Sequence, residues 1–186
     1  MIMKTKKYLL AGALILSLST PVMAQNDGYK AALNPIISAI EAAPNDAKAG
    51  KDLIKEYLKV YKKDEEAITA LGNVYLAQRN FTEAMKVANS IVTNKKMNGT
   101  LGYLLLGDIV ALQDSVGNAG AAAQHYATAI SLDPHNVAAY ERYAKVYRHV
   151  NPEVAVQKLE ELRKIEPNYP VEATAAEIML SDGKYT

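Results

Sequence analysis

Apolar residues along most of this chain return every three or four positions, and no stretch alternates apolar and polar for long. A 3.6-residue period lines one face of a helix, whereas alternation would mark a strand. The pattern predicts about nine helices, near 30–43, 47–62, 65–78, 82–93, 100–113, 119–131, 137–149, 152–165 and 170–180. The breaks have physical reasons. Pro44-Asn45-Asp46, Asp133-Pro134-His135-Asn136 and Glu166-Pro167-Asn168 follow helix ends. Proline cannot continue a helical ladder there, and Asn or Asp can cap the next start. In Asn151-Pro152-Glu153 the proline opens a helix, where its missing N–H costs nothing.

The helical pattern also repeats. Leu71-Gly72-x-x-Tyr75 is echoed by Leu106-Gly107-x-x-Val110 and again by Tyr143-Ala144-x-x-Tyr147, so that the small residues stand 35 and 37 positions apart. Each is followed by a second helix with small residues on one face: Ala84, Ala122 and Ala155. Self-similarity at this period predicts stacked helix pairs, each burying its apolar face on the next. Gly72, Gly107 and Ala144 lack bulk where two helices should cross closely. Tyr75, Tyr126 and Tyr147, with the stripe Tyr140, Tyr143 and Tyr147, are expected to fill the core beside them.

These residues resemble the tetratricopeptide repeat family. Ile68, Leu71, Gly72, Tyr75, Ala84, Ala88 and Ile91 follow its pattern in the first full unit. Tyr103, Leu106, Gly107, Val110, Ala122, Tyr126, Ala129 and Pro134 follow it in the second, and Tyr140, Tyr143, Ala144, Tyr147, Ala155, Leu159, Leu162 and Pro167 in the third. The likeness covers 65–186, as units 65–99, 100–136, 137–169 and a partial 170–186. Lys96 stands where Pro is usual, and Trp is absent from its slot in every unit. The resemblance implies an all-α, right-handed solenoid of antiparallel helix pairs, with 25–64 as a divergent N-terminal pair. The final predicted helix has no second helix after it, so the natural chain is expected to continue with further repeats.

The second unit is longer than its neighbours. From Gly107 to Ala122 is 15 residues, against 12 from Gly72 to Ala84 and 11 from Ala144 to Ala155. The extra residues fall in Gln113-Asp114-Ser115-Val116-Gly117-Asn118-Ala119-Gly120, whose glycines and Asn mark an exposed loop. Asp114-Ser115-Val116 resembles an acceptor motif for bacterial O-glycosylation, which makes Ser115 a candidate modification site beside the plainer reading of a long turn. Asn98-Gly99-Thr100 fits an N-glycosylation pattern but reads better as a turn and helix cap.

The N-terminus changes the setting. Lys4, Lys6 and Lys7 precede the apolar run 8–18, and Pro21-Val22-Met23-Ala24 closes a segment ending in small side chains. This is the form of a signal peptide, 1–24, cut near Ala24, and it predicts a periplasmic or secreted protein with no stable membrane insertion afterwards. Cleavage would remove three of 21 cations and none of 20 acids, leaving 162 residues at a net charge of −2. Such balance leaves no electrostatic footprint for nucleic acid. With no cysteine, stability in an oxidising compartment must come from packing.

Catalytic chemistry is hard to find. His125, His135 and His149 share no metal-ligand spacing, and no phosphate loop, zinc-protease or Gly-x-Ser-x-Gly motif occurs. A non-enzymatic chain without cofactor or metal is expected. Its binding residues are predicted by helical phase, as first-helix positions that point away from the packing slots. They are Thr69, Asn73 and Leu76; Leu104, Asp108 and Ala111; and Glu141, Lys145 and Arg148. Together they predict a groove that is apolar and acidic in the middle and basic beyond, with Asp108 repelling a carboxylate. The expected function is a scaffold that binds a protein or peptide there. The alternatives are the repeat portion of a longer envelope-assembly protein, or of an enzyme whose catalytic region lies beyond residue 186. A small-ligand or glycan site on groove tyrosines is a third.

Overall fold

The computed structural model describes residues 28–43, 46, 48–113 and 119–180. The predicted leader with its cleavage near Ala24, the Ser115 loop and the turn after Leu180 lie outside these residues. Among the described residues the chain is all-helical, with no strand. Its helices are α1 Gly28–Ala42, α2 Lys51–Val60, α3 Glu65–Ala77, α4 Phe81–Val92, α5 Thr100–Gln113, α6 Ala119–Leu132, α7 Val137–Tyr147, α8 Pro152–Ile165 and α9 Val171–Leu180. None of them is long and apolar enough to cross a membrane.

The helix starts follow from short polar side chains. Asp64 accepts from the Ala67 N–H at 3.0 Å, Asn80 from Glu83, Asn136 from Ala139 and Asn151 from Val154, the last just before Pro152. Each carboxylate or amide oxygen satisfies a donor that the helix itself leaves open. Most boundaries shift slightly from the sequence pattern, and two of the shifts have a clear cause. α2 begins at Lys51, not 47, because Gly50 adopts a left-handed φ of 68°. α7 ends at Tyr147, where the Asn151 N–H turns back to the Tyr147 carbonyl at 2.8 Å. α3 ends in a Schellman arrangement, with Asn80 N–H bonded to Tyr75 O and Arg79 N–H to Leu76 O, both 2.9 Å. Arg79 takes the left-handed position there at φ 54°, a conformation that glycine adopts without steric cost.

The start of α5 is built differently from the expected local cap. The Glu65 carboxylate, one unit earlier, accepts the Gly99 N–H at 3.1 Å and the Leu101 N–H at 2.8 Å. The Thr100 hydroxyl takes no part: it is buried without a hydrogen-bond partner among the described residues.

Consecutive helices pack on one another from α3 to α8, and α3 also meets α1 and α5 while α7 meets α9. Buried apolar side chains fill these seams: Leu33, Ile36, Leu71, Ile91 and Leu105 in the first half, Ala122, Tyr126 and Ala139 between α5 and α7, and Ala144, Ala155, Leu159 and Val171 beyond. Small residues permit the closest approaches. A Cβ at Gly107 would stand 2.7 Å from Tyr126 Cδ1 and Cζ, and one at Gly72 would run into the Leu105 side chain. Of the tyrosines expected in the core, Tyr126 and Tyr140 are buried, whereas Tyr75, Tyr143 and Tyr147 are only half-buried. Tyr143 and Tyr147 lie against each other at a 33° tilt with ring centres 5.1 Å apart, and the Lys158 ammonium covers the Tyr143 ring at 4.8 Å. Their edges stay wet because α8 offers that long side chain, not an apolar one.

Candidate binding groove

A hollow of about 490 Å³ opens between α3, α5 and α7. Leu76 comes from the last turn of α3; Asp108, Ala111 and Leu112 come from α5. Ala119 and Tyr126 of α6 close its base, and Arg142, Lys145 and Val146 of α7 with Arg148, His149 and Val150 just after it form the far wall. Leu112 is 48% exposed and Val150 61%. Large apolar side chains this open are each ordinary on a protein surface, but here two share one concavity with Leu76 and Val146. Thus Leu76, Asp108, Ala111, Lys145 and Arg148, separated by up to 72 positions in sequence, line one wall-to-wall surface.

The remaining predicted groove residues fall elsewhere. Leu104 is 5% exposed and packs among Ala122, Tyr126 and Ala139, so its side chain belongs to the core and not to a partner surface. The phase argument placed it one step too far round α5, a helix with apolar residues on nearly all sides. Asn73 is exposed and Thr69 half-buried, with a hydroxyl that has no hydrogen-bond partner among the described residues; neither borders this hollow. Glu141 lines a second one, of about 440 Å³, where Ala138, Arg142 and Lys145 of α7 face Thr174, Glu177 and Ile178 of α9. Tyr169 donates to Glu141 at 2.9 Å. Burial first, and then that bond, push the Tyr169 phenol up to about 12, against the lowering effect of Thr174.

Asp108 is not the repelling acid that its position suggested. Its Oδ1 accepts the Tyr126 hydroxyl at 2.9 Å, and both oxygens accept from Arg142 Nε, at 3.0 and 3.2 Å. Burial raises the Asp108 carboxyl above its usual value, while Arg142, Tyr126 and Lys145 pull it back. Burial, together with Asp108, raises the Tyr126 phenol beyond its ordinary range. The charge of Asp108 is therefore spent inward, on Arg142, and the groove is not acidic in the middle.

Arg142, which the helical phase overlooked, is what reverses that expectation. It lies 34 residues after Asp108, the same separation that joins Glu65 to Gly99, so a search for opposite charges one unit apart would have found it. Arg148 has a structural task as well, since Nη1 donates to the Lys145 carbonyl at 2.6 Å, next to the C-terminus of α7. Among the described residues no cluster of three His, Cys, Asp or Glu side chains is arranged to hold a metal ion. Compared with known proteins, the chain matches no family model, no curated protein and no solved structure.

Proposed function

We propose that this chain is an exported, non-enzymatic scaffold of the tetratricopeptide type. In this reading its helix pairs stack as a right-handed solenoid, and the odd-numbered helices form a concave groove that holds a protein or peptide. The observation that carries it is the hollow between α3, α5 and α7, where Leu112 and Val150 stay open to solvent beside Lys145. Apolar side chains ringed by charge on preformed helices bind partners with little reorganisation.

A photo-crosslinking residue placed at Leu112 or Val150 tests this against one at Val156, which is 38% exposed on α8. Adducts in an envelope extract should form from the two groove positions, and Lys145→Glu should reduce them. Adducts from Val156 alone would put the partner on the outer surface. Lys145 suits this test better than Arg148, which also caps α7. For a remote charge reversal Lys59, 74% exposed, is cleaner than Lys158, whose ammonium lies on Tyr143 and whose side chain is only 19% exposed.

A further inference from the structure

We infer that the groove selects a partner segment with two or three neighbouring apolar side chains and a carboxylate beside them. This deepens the scaffold reading and rests on it. Volume sets the first part: about 490 Å³ suits a few side chains, not a whole folded surface. Leu76, Leu112, Val146 and Val150 supply the apolar contact.

Charge sets the second part. Asp108 is the carboxylate among the described lining residues, and Arg142 together with Tyr126 already occupies it. Lys145, exposed on α7, then leaves the hollow positive even before Arg148 is counted. An incoming carboxylate meets attraction there, and an incoming lysine or arginine is repelled. The second hollow is more nearly balanced in charge. Glu141 and Glu177 face it across the same Lys145 and Arg142, so an acid displaced toward α9 would meet like charge. The two acids of that hollow thus favour a partner carboxylate over the side shared with α5.

A random short-peptide library displayed on phage and panned on the mature chain tests this. Leu112→Ser and Lys145→Glu, both at exposed positions, serve as comparison targets. Enriched clones should join Leu, Ile or Phe to Asp or Glu. A synthetic peptide from the best clone should bind about tenfold more weakly to Lys145→Glu, where attraction between unlike charges becomes repulsion between like ones. Its binding to the unaltered chain should weaken with added salt. Enrichment of neutral or basic peptides that still need Leu112 would overturn this inference while leaving the groove reading in place. Clones indifferent to both substitutions, or no enrichment at all, would overturn the groove reading itself. Light scattering adds one more decisive outcome: a dimer mass for the free chain that Leu112→Ser reduces to monomer would assign the groove to a second copy instead.

Discussion

Replacing Gly107 by Ala adds one methyl group, and its effect is decided by Tyr126. The new carbon would stand 2.7 Å from both Cδ1 and Cζ of that ring, well inside carbon–carbon contact distance. Tyr126 is 2% exposed, and its hydroxyl is held by Asp108, so the ring cannot swing aside freely. Helix propensity alone would favour alanine by about 1 kcal/mol. Against this stand about 1–3 kcal/mol for overpacking and about 1.5–3 kcal/mol if the ring shift breaks a hydrogen bond to a carboxylate. The net expectation is destabilisation of about 2 kcal/mol. Gly120 supplies the control, because a Cβ there meets nothing within 4 Å; Gly120→Ala should stabilise by about 0.5 kcal/mol. Urea unfolding followed by circular dichroism reads both, provided the slope is unchanged. Combining Gly107→Ala with Tyr126→Phe should cost about 1 kcal/mol less than the two singly, since the hydroxyl bond can be broken only once. If Gly107→Ala is as harmless as Gly120→Ala, the α5–α6 crossing is not closed by Tyr126 and the repeat phase is wrong.

Four further outcomes are expected. Arg79→Gly should raise stability by about 0.5–1 kcal/mol in the same urea assay, because the left-handed position after α3 strains a side chain with a Cβ. Glu65→Ala should cost about 1–3 kcal/mol by orphaning the Gly99 and Leu101 N–H groups, with Glu65→Gln costing less because it keeps one acceptor. The raised Asp108 carboxyl means that the folded chain holds this proton more tightly than the unfolded one; its contribution is present below the unfolded pKa and lost as pH rises through the folded value. Asp108→Asn should therefore flatten that part of the stability profile, measured as urea midpoints across about pH 3–6. Finally, N-terminal sequencing of protein expressed with residues 1–24 should give Gln25 from a soluble periplasmic fraction, and a membrane-bound product retaining Met1 would refute export with cleavage.

Helix placement was legible because it depends on local chemistry. The bounds of α5 and α8 coincide with the pattern, since Gln113 precedes a glycine-rich stretch and Asn151-Pro152 marks an unambiguous start. The start of α5 was legible but its cause was not: Glu65 is 34 residues away from Gly99, and no local rule points that far. The groove was half legible for the same reason. Helical phase finds which residues face outward, which sufficed for Asp108, Ala111, Lys145 and Arg148, while Leu76, 9% exposed, reaches the hollow only at its edge. It fails for Leu104 of α5, where apolar residues surround the helix and Leu104 looks no different from Leu112. Nor can phase tell whether an outward charge is already satisfied, as that of Asp108 is by Arg142.

The polar contacts that the sequence pattern hid share one property: each links a unit to the next. Glu65 reaches the start of α5, Asp108 meets Arg142, and His135 Nδ1 lies 2.7 Å from Glu166 Oε1. Apolar faces attract without direction, so leucine and alanine seams alone would let one helix pair slide or rotate on its neighbour at little cost. Hydrogen bonds and ion pairs carry geometry and resist that motion. Asp108–Arg142 is the tie that also borders the groove. Arg142 is 38% exposed at its side chain and Asp108 23%, so the pair is partly buried, and it ties α5 directly to α7. The same pairing that removes the acid from the groove also ties its two walls together.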